Sequence, residues 1–252
     1  MVTTFTKRSP FHPRSYPAEA AGLRWLAAAG SDAARMVEVL EVSAQQLTLR
    51  RLVSVRPTAR AAVAFGSALA RTHGAGAAAF GQPPDGWSGD GFIGRQHLSL
   101  RPEERWGVFY ADQRLVPYAE EAHRRGTLST AGRAAVDRVA ERLHAGDFDD
   151  GAAPARIHGD LWSGNLVFTA EGVVLIDPAA HGGHRLTDLA MLALFGAPQL
   201  SQILDGYRST GQLLDGWPEL IGLHQLHPLL VHAVTHGSSY GAEAASTATR
   251  YG

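Results

Sequence analysis

The sequence predicts an α+β protein of two lobes, a small N-terminal lobe built on a sheet and a larger, mainly helical C-terminal lobe. Two observations carry this. Strand-length apolar runs and a single helix fill the first lobe, whereas most of the chain after Pro57 has helical periodicity. Amid those helices a single apolar hairpin stands out. It follows the stretch Ile157-His158-Gly159-Asp160-Leu161-Trp162-Ser163-Gly164-Asn165 and ends at Asp177. The expected division is 1–55 for the sheet lobe and 56–252 for the helical lobe.

Taken in order, residues 1–7 read as the end of a strand, and Pro10, Pro13 and Pro17 punctuate the loop after it. Ala18–Ala29 reads as a helix anchored by Leu23, Trp25 and Leu26, with Gly30 as its stop. Met36–Val42 and Gln46–Leu52 are expected strands. In the second, Leu47 and Leu49 alternate with polar neighbours. Pro57-Thr58 opens an Ala-rich helix ending near His73, and Gly74–Gly94 is loop-rich. Pro102–Gly126 and Ser129–Ala145 are helical. Leu166–Phe168 and Val173–Ile176 form the hairpin strands, with Thr169–Gly172 as a four-residue loop. Helices follow at Asp188–Leu194, Leu200–Ser209 and Trp217–His236.

Composition narrows the function. With 252 residues and 45% hydrophobic content, the chain can bury a substantial core. Its formal net charge of -1 and lack of a basic tract do not indicate nucleic acid as a partner. Cysteine is absent, which excludes disulfides and thiolate metal sites and fits a reducing cytoplasm. The first ten residues have no apolar core of signal-peptide length, and no apolar run is long enough to span a bilayer. A cytoplasmic protein without a membrane partner is therefore expected. The oligomeric state is left open.

The motif HGDxxxxN, then a hairpin, then Asp177 supplies the groups that phosphoryl transfer from ATP requires. One carboxylate, Asp160, would orient and deprotonate an attacking hydroxyl. Asn165 and Asp177 would hold Mg²⁺ against the phosphates. The protein-kinase counterpart is HRDxxxxN followed by DFG. Gly159 in place of Arg, and Asp177-Pro178-Ala179 in place of DFG, suit small-molecule kinases of a protein-kinase-like fold. The hairpin sets Asn165 and Asp177 side by side, within reach of one cation. Upstream, Lys7 is followed twelve residues later by Glu19 on the first helix. A strand Lys held by a helix Glu is the phosphate-contacting pair of kinases.

Other residues have plainer readings. His158 is expected to brace the catalytic loop by hydrogen bonding, and Gly159 and Gly164 to permit tight backbone turns. Asp188 is placed to anchor that loop from a helix. His181 and His184, just beyond Asp177, are either substrate contacts beside the transferred phosphate or members of a flexible Gly-rich turn. Trp162, inside the loop, is a candidate wall of the sugar site. His224, His227, His232 and His236 recur at helical spacing without HExxH or a completing carboxylate, so they read as core or cleft histidines.

These residues resemble the fructosamine kinase (ketosamine kinase) family over nearly the whole chain. The resemblance rests on HGDLWSGN (158–165), IDPAAHGGHRLTDLAMLALFG (176–196) and LHQLHPLLVH (223–232), with LARTHGAGAAAFG (69–81), GFIG (91–94) and WGVFYADQRLVPY (106–118) in support. It implies ATP-dependent phosphorylation of the 3-hydroxyl of a small or protein-bound ketosamine, a step in deglycation. Asp160 would be the base, Asn165 and Asp177 the Mg²⁺ ligands, Lys7 the phosphate lysine and Glu19 its holder. The family carries about two strands and a glycine-containing loop before that lysine. Only six residues precede Lys7 here. The small lobe is thus read as truncated ahead of the lysine strand, with weak ATP binding expected of this form. The alternatives are a kinase of another hydroxylated metabolite, aminoglycoside- or choline-like, and a catalytically impaired, kinase-shaped binding protein.

Overall fold

A small antiparallel sheet opens the chain in the order β1 (Thr4–Arg8), β4 (Gln46–Arg50), β3 (Val39–Val42). The structure, a computed structural model, describes residues 3–210, 213 and 215–252. Met1 and Val2, read above as belonging to the first strand, lie outside the described residues. Helix α1 (Ser15–Ala27) covers this sheet. Its Ala20 and Leu23 pack with Val37, Leu47 and Leu49, all buried. The helix starts at Ser15, ahead of the expected Ala18. Pro17 falls in its first turn, where the missing N–H has no intrahelical acceptor to lose.

The expected strand Met36–Val42 is two strands serving two sheets. β2 (Arg35–Met36) runs parallel to β9 (Gly172–Leu175) of the later hairpin, Arg35 opposite Val174, and the Val37 N–H continues the pairing to the Leu175 carbonyl at 2.9 Å. One residue on, the Glu38 carbonyl accepts from Arg50 N–H at 2.9 Å, so the chain has changed partners. Further along, the Val55 N–H donates to the Phe168 carbonyl at 2.8 Å. The small sheet is therefore tied to the hairpin at two points.

The helical lobe has two apolar centres. In one, α2 (Ala59–Gly74), capped by the Thr58 hydroxyl, packs on α6 (Arg185–Leu194), α7 (Leu200–Arg208) and the hairpin through Leu69, Leu175, Leu189 and Ile203. The other joins α3 (Trp106–Tyr110), α4 (Val116–Arg124), α5 (Thr130–Ala145), α8 (Trp217–His236) and α9 (Ser238–Tyr251). A π-helical turn, Ala111–Leu115, joins α3 to α4 into the single helical stretch the sequence suggests. A short hairpin, β5 (Gly91–Ile93) and β6 (Gln96–Leu98), rises from the segment read as loop. None of the helices formed by the described residues is long and apolar enough to cross a membrane.

Helix α8 continues through Pro228. Proline supplies no N–H, so the His224 carbonyl four residues back loses its helical donor. The Tyr110 hydroxyl replaces it, lying 3.1 Å from the His224 carbonyl and 2.9 Å from that of Leu223, and it accepts from His227 N–H at 3.2 Å. Tyr110→Phe should therefore destabilise the protein by about 1–3 kcal/mol, the cost of orphaning buried polar groups. Denaturant melts would read it, and an unchanged midpoint would contradict this account.

Candidate active site

The His158–Asn165 segment leaves β7 (Ala155–Ile157) and re-enters regular structure at β8 (Leu166–Thr169). β8 and β9 pair with Leu166 opposite Leu175 and Thr169 opposite Gly172, so the turn is Ala170-Glu171, two residues tighter than the expected loop. This register places Asn165 and Asp177 at the same end of the hairpin. The Ile176 N–H donates to the Asn165 carbonyl at 3.2 Å. The Asn165 amide donates to the Asp160 carbonyl at 2.8 Å and lies 3.4 Å from both the Asp160 carboxylate and the Asp177 carbonyl.

The loop is braced from beneath. His158 is buried. Its Nε2 lies 2.9 Å from the Ile176 carbonyl, and its Nδ1 accepts from the Asp160 N–H at 3.3 Å. A carbonyl can only accept, so the proton sits on Nε2. Asp188 on α6 accepts from His158 N–H at 2.8 Å and Gly159 N–H at 2.9 Å, with His73 Nε2 3.0 Å away. Burial alone would raise the Asp188 carboxyl, but His73 and His158 hold it below the ordinary carboxylate range. Gly159 has φ +79°, and a Cβ there would meet the Ala179 carbonyl at 2.3 Å, so no other residue fits.

Asp160 itself is pushed up to about 7. Burial is the main cause, the charges of Asp177 and Asp188 add to it, and the Asn165 amide opposes it. Asp177 has φ +55°, an uncommon conformation for a residue with a side chain. Its carboxylate meets Lys7 Nζ at 2.7 Å, and the same ammonium is 2.8 Å from Glu19. Burial works against the charge on Lys7, but Glu19 and Asp177 outweigh it and raise its pKa. Lys7, Glu19, Asp160, Asn165 and Asp177 all line one cavity of about 390 Å³. The β1–α1 connection thus delivers the lysine pair to the cavity of Asp160 and Asp177.

Trp162 is 42% exposed and stands with Asp160 at the junction of this cavity and a second one of about 670 Å³. His181 and His184 line neither of them. The run His181-Gly182-Gly183 is neither a cleft wall nor a flexible turn, but the buried strand β10 (His181–Gly183), antiparallel to β7. Its Gly182 sits where a Cβ would be 2.1 Å from the Ala79 carbonyl. His181 Nδ1 donates to the Ala179 carbonyl at 2.7 Å, and burial next to Arg114 holds the ring down to about 3. His184 caps α6 by accepting from Leu186 N–H at 3.2 Å, while its Nε2 faces Asp150 at 3.2 Å. Both histidines are therefore buried in framework contacts and line neither cavity at Asp160.

The metal question turns on donor chemistry. The Asn165 amide nitrogen is engaged with Asp160, and Asn165 and Asp177 line the same cavity. One amide oxygen and one carboxylate suit a hard cation that takes its other ligands from phosphate and water, as Mg²⁺ does. Among the described residues there is no cluster of three or more His, Cys, Asp or Glu that could hold a metal by itself. His224 and His227 are core residues, whereas His232 and His236 line the larger cavity. Sequence reasoning missed Phe11, Trp87 and Phe92 in the first cavity and His73 beneath the loop. Each is brought there by tertiary packing, with no local signal in the sequence.

The architecture is that of the protein-kinase-like phosphotransferases. A macrolide 2'-phosphotransferase of Brachybacterium faecium shares it at 16% identity and a TM-score of 0.57, over 98% of this chain and 84% of its own. More specifically, the chain belongs to the fructosamine kinase family, whose family model matches residues 5–251. A solved candidate fructosamine-3-kinase of Thermobifida fusca is 40% identical, with a TM-score of 0.90 over 99% of this chain and 86% of its own. A probable ketoamine kinase of Vibrio parahaemolyticus is 31% identical over 183 residues, 73% of this chain and 60% of that protein. The chain spans about three fifths of the length of the curated relatives it matches.

Proposed function

We propose that this chain transfers the γ-phosphoryl group of ATP to the 3-hydroxyl of a ketosamine, as a step in deglycation. The observation that carries the reading is the convergence, in one cavity, of an isolated carboxylate with a charged lysine set. Asp160 faces the acceptor side. Lys7, held by Glu19 and touching Asp177, faces the phosphates. The acceptor oxygen attacks the γ-phosphorus, the bond to the β-phosphate oxygen breaks and ADP leaves. Asp160 orients the hydroxyl and takes its proton. Asn165 and Asp177 would hold Mg²⁺, which when bound neutralises phosphate charge. Trp162, at the cavity junction, would wall the sugar. Family membership and the ketoamine kinase relatives support the substrate class.

An aminoglycoside substrate has less support. Polycationic acceptors call for several carboxylates, and Asp160 is the one carboxylate among the described residues lining the larger cavity. A coupled ADP-release assay separates the readings. Fructosyl- or ribulosyl-lysine should be phosphorylated and kanamycin-type aminoglycosides should not. The reverse preference would overturn the substrate class, and silence with both would favour a kinase-shaped binding protein. Within the same assay, Asp177→Ala should abolish productive Mg²⁺-dependent turnover, and Asn165→Ala, which deletes a neutral ligand, should be milder. Unchanged Mg²⁺ dependence in Asp177→Ala would remove that residue from the metal site.

A further inference from the structure

The cavity of about 670 Å³ beyond Asp160 is not used by the phosphate-facing residues. We infer that it seats the amine-bearing end of the acceptor and favours ketosamines formed on free amino acids with flat or apolar side chains. The inference rests on the acceptor reading above and adds a substrate class to it.

Position comes first. Asp160, Trp162 and Gly94 line both cavities. The smaller one holds Lys7, Glu19 and Asp177, the charge set suited to phosphates. An acceptor hydroxyl at Asp160 therefore has the larger cavity open to the rest of its molecule.

The walls of that cavity form an aromatic row leading outward from the loop. Trp162 meets Phe195 edge-on at 6.5 Å, Phe195 meets His232 at 4.9 Å, and His232 stacks on His236 at 4.9 Å, with Tyr240 5.0 Å from His232. Burial lowers the His232 pKa from its ordinary value, and its Nδ1 donates to the Pro228 carbonyl at 2.8 Å. Stacked rings offer a flat side chain offset-stacked or edge-on contacts.

Charge then selects the other end. Two guanidinium groups line the cavity. Arg125 is already held by Glu121 at 2.5 Å and by the Val234 carbonyl at 2.9 Å. Arg95 has no hydrogen-bond or ion-pair partner among the described residues. It follows Gly94 in the turn of the β5–β6 hairpin, next to the junction of the cavities. A carboxylate on the carbon that bears the amine stays close to the sugar, on the same side of the acceptor as this turn. A lysine side chain linked through its terminal nitrogen carries no carboxylate there.

The test uses four ketosamines of one sugar: fructosyl-phenylalanine, its carboxamide, fructosyl-glycine, and Nε-fructosyl-lysine with both backbone ends blocked. The free acid should exceed the carboxamide in kcat/KM by about threefold to tenfold, the size expected of a partly exposed charge-assisted contact. The blocked lysine adduct should match the carboxamide. The acid-to-carboxamide ratio should fall toward one in Arg95→Ala and persist in Arg95→Lys, which keeps the charge. The advantage of fructosyl-phenylalanine over fructosyl-glycine should shrink in His236→Ala. Turnover of acid and carboxamide at equal kcat/KM, or a preference that survives Arg95→Ala, would overturn the inference and leave the ketosamine kinase reading standing. No turnover of any ketosamine, with ADP release on some other alcohol, would overturn both.

Discussion

Asp160→Asn should fold normally and lose about 10²–10⁴-fold in turnover, the usual cost of deleting a general base. The substitution is nearly isosteric. The strongest local contact, Asn165 to the Asp160 carbonyl at 2.8 Å, belongs to the backbone and survives it. The variant should also be more stable than the parent, and the sign follows from the titration. The folded carboxyl is pushed up to about 7 by burial, whereas the unfolded chain titrates near 3.8. Between those values the folded protein retains a proton that the unfolded chain has released. Stability therefore falls as pH rises through the window, and the full penalty is present above pH 7. Asparagine carries no charge and escapes it. At about pH 8 the metal-free variant should gain on the order of 1–2 kcal/mol, the partial exposure of the side chain being allowed for, and at about pH 4 almost nothing. Denaturation at the two pH values and a turnover assay read both effects. Near-parental turnover in the folded variant would remove Asp160 from the chemistry.

The arrangement of the site was partly legible in the sequence, and the division is physical. Asn165 and Asp177 are related by one hairpin, so their proximity follows from alternation and a turn. Lys7 and Glu19 are joined by one strand and the first turns of the next helix, so they too are local. His158 as a brace was legible because it sits two residues from the carboxylate it positions. The features that escaped depend on distant partners. β2 pairs with a hairpin far along the chain, and nothing in Arg35-Met36 marks that choice. His181 and His184 have the composition of an exposed turn, yet His181 pairs with β7 as buried strand and His184 caps the helix that follows. Helix α9 lacks a strong apolar stripe. It is held by small residues, Ala244 and Ala248, and by Gly241, where a Cβ would lie 1.8 Å from the Thr127 carbonyl. Close backbone approach replaces bulky side chains there, and periodicity of large apolar residues cannot report it.

Asp188→Ala should be the most damaging single change outside the cavity, lowering stability by about 3–5 kcal/mol and turnover to background. Asp188 is fully buried, as is His73 Nε2 beside it. Its two oxygens serve three donors: the N–H groups of His158 and Gly159, and His73. Removing them orphans two backbone donors at the root of the catalytic loop and one imidazole that Tyr207 holds from the other side at 2.6 Å. Each orphaned group costs about 1–3 kcal/mol, more where charge is involved. Asp188→Asn should recover only a fraction of this, because the amide supplies one acceptor oxygen and turns its NH₂ toward a backbone N–H. The pH dependence has the opposite sign to that of Asp160. The Asp188 carboxyl is held below its ordinary value, so its contribution is present above that value and is lost as pH falls through the folded pKa. The parent should therefore lose stability in acid more steeply than Asp188→Ala. Denaturant midpoints from neutral pH down into the carboxylate range, together with turnover at neutral pH, measure this. A folded Asp188→Ala with the parent's stability and acid sensitivity would show that the loop is held by other contacts, and that the buried carboxylate is not its anchor.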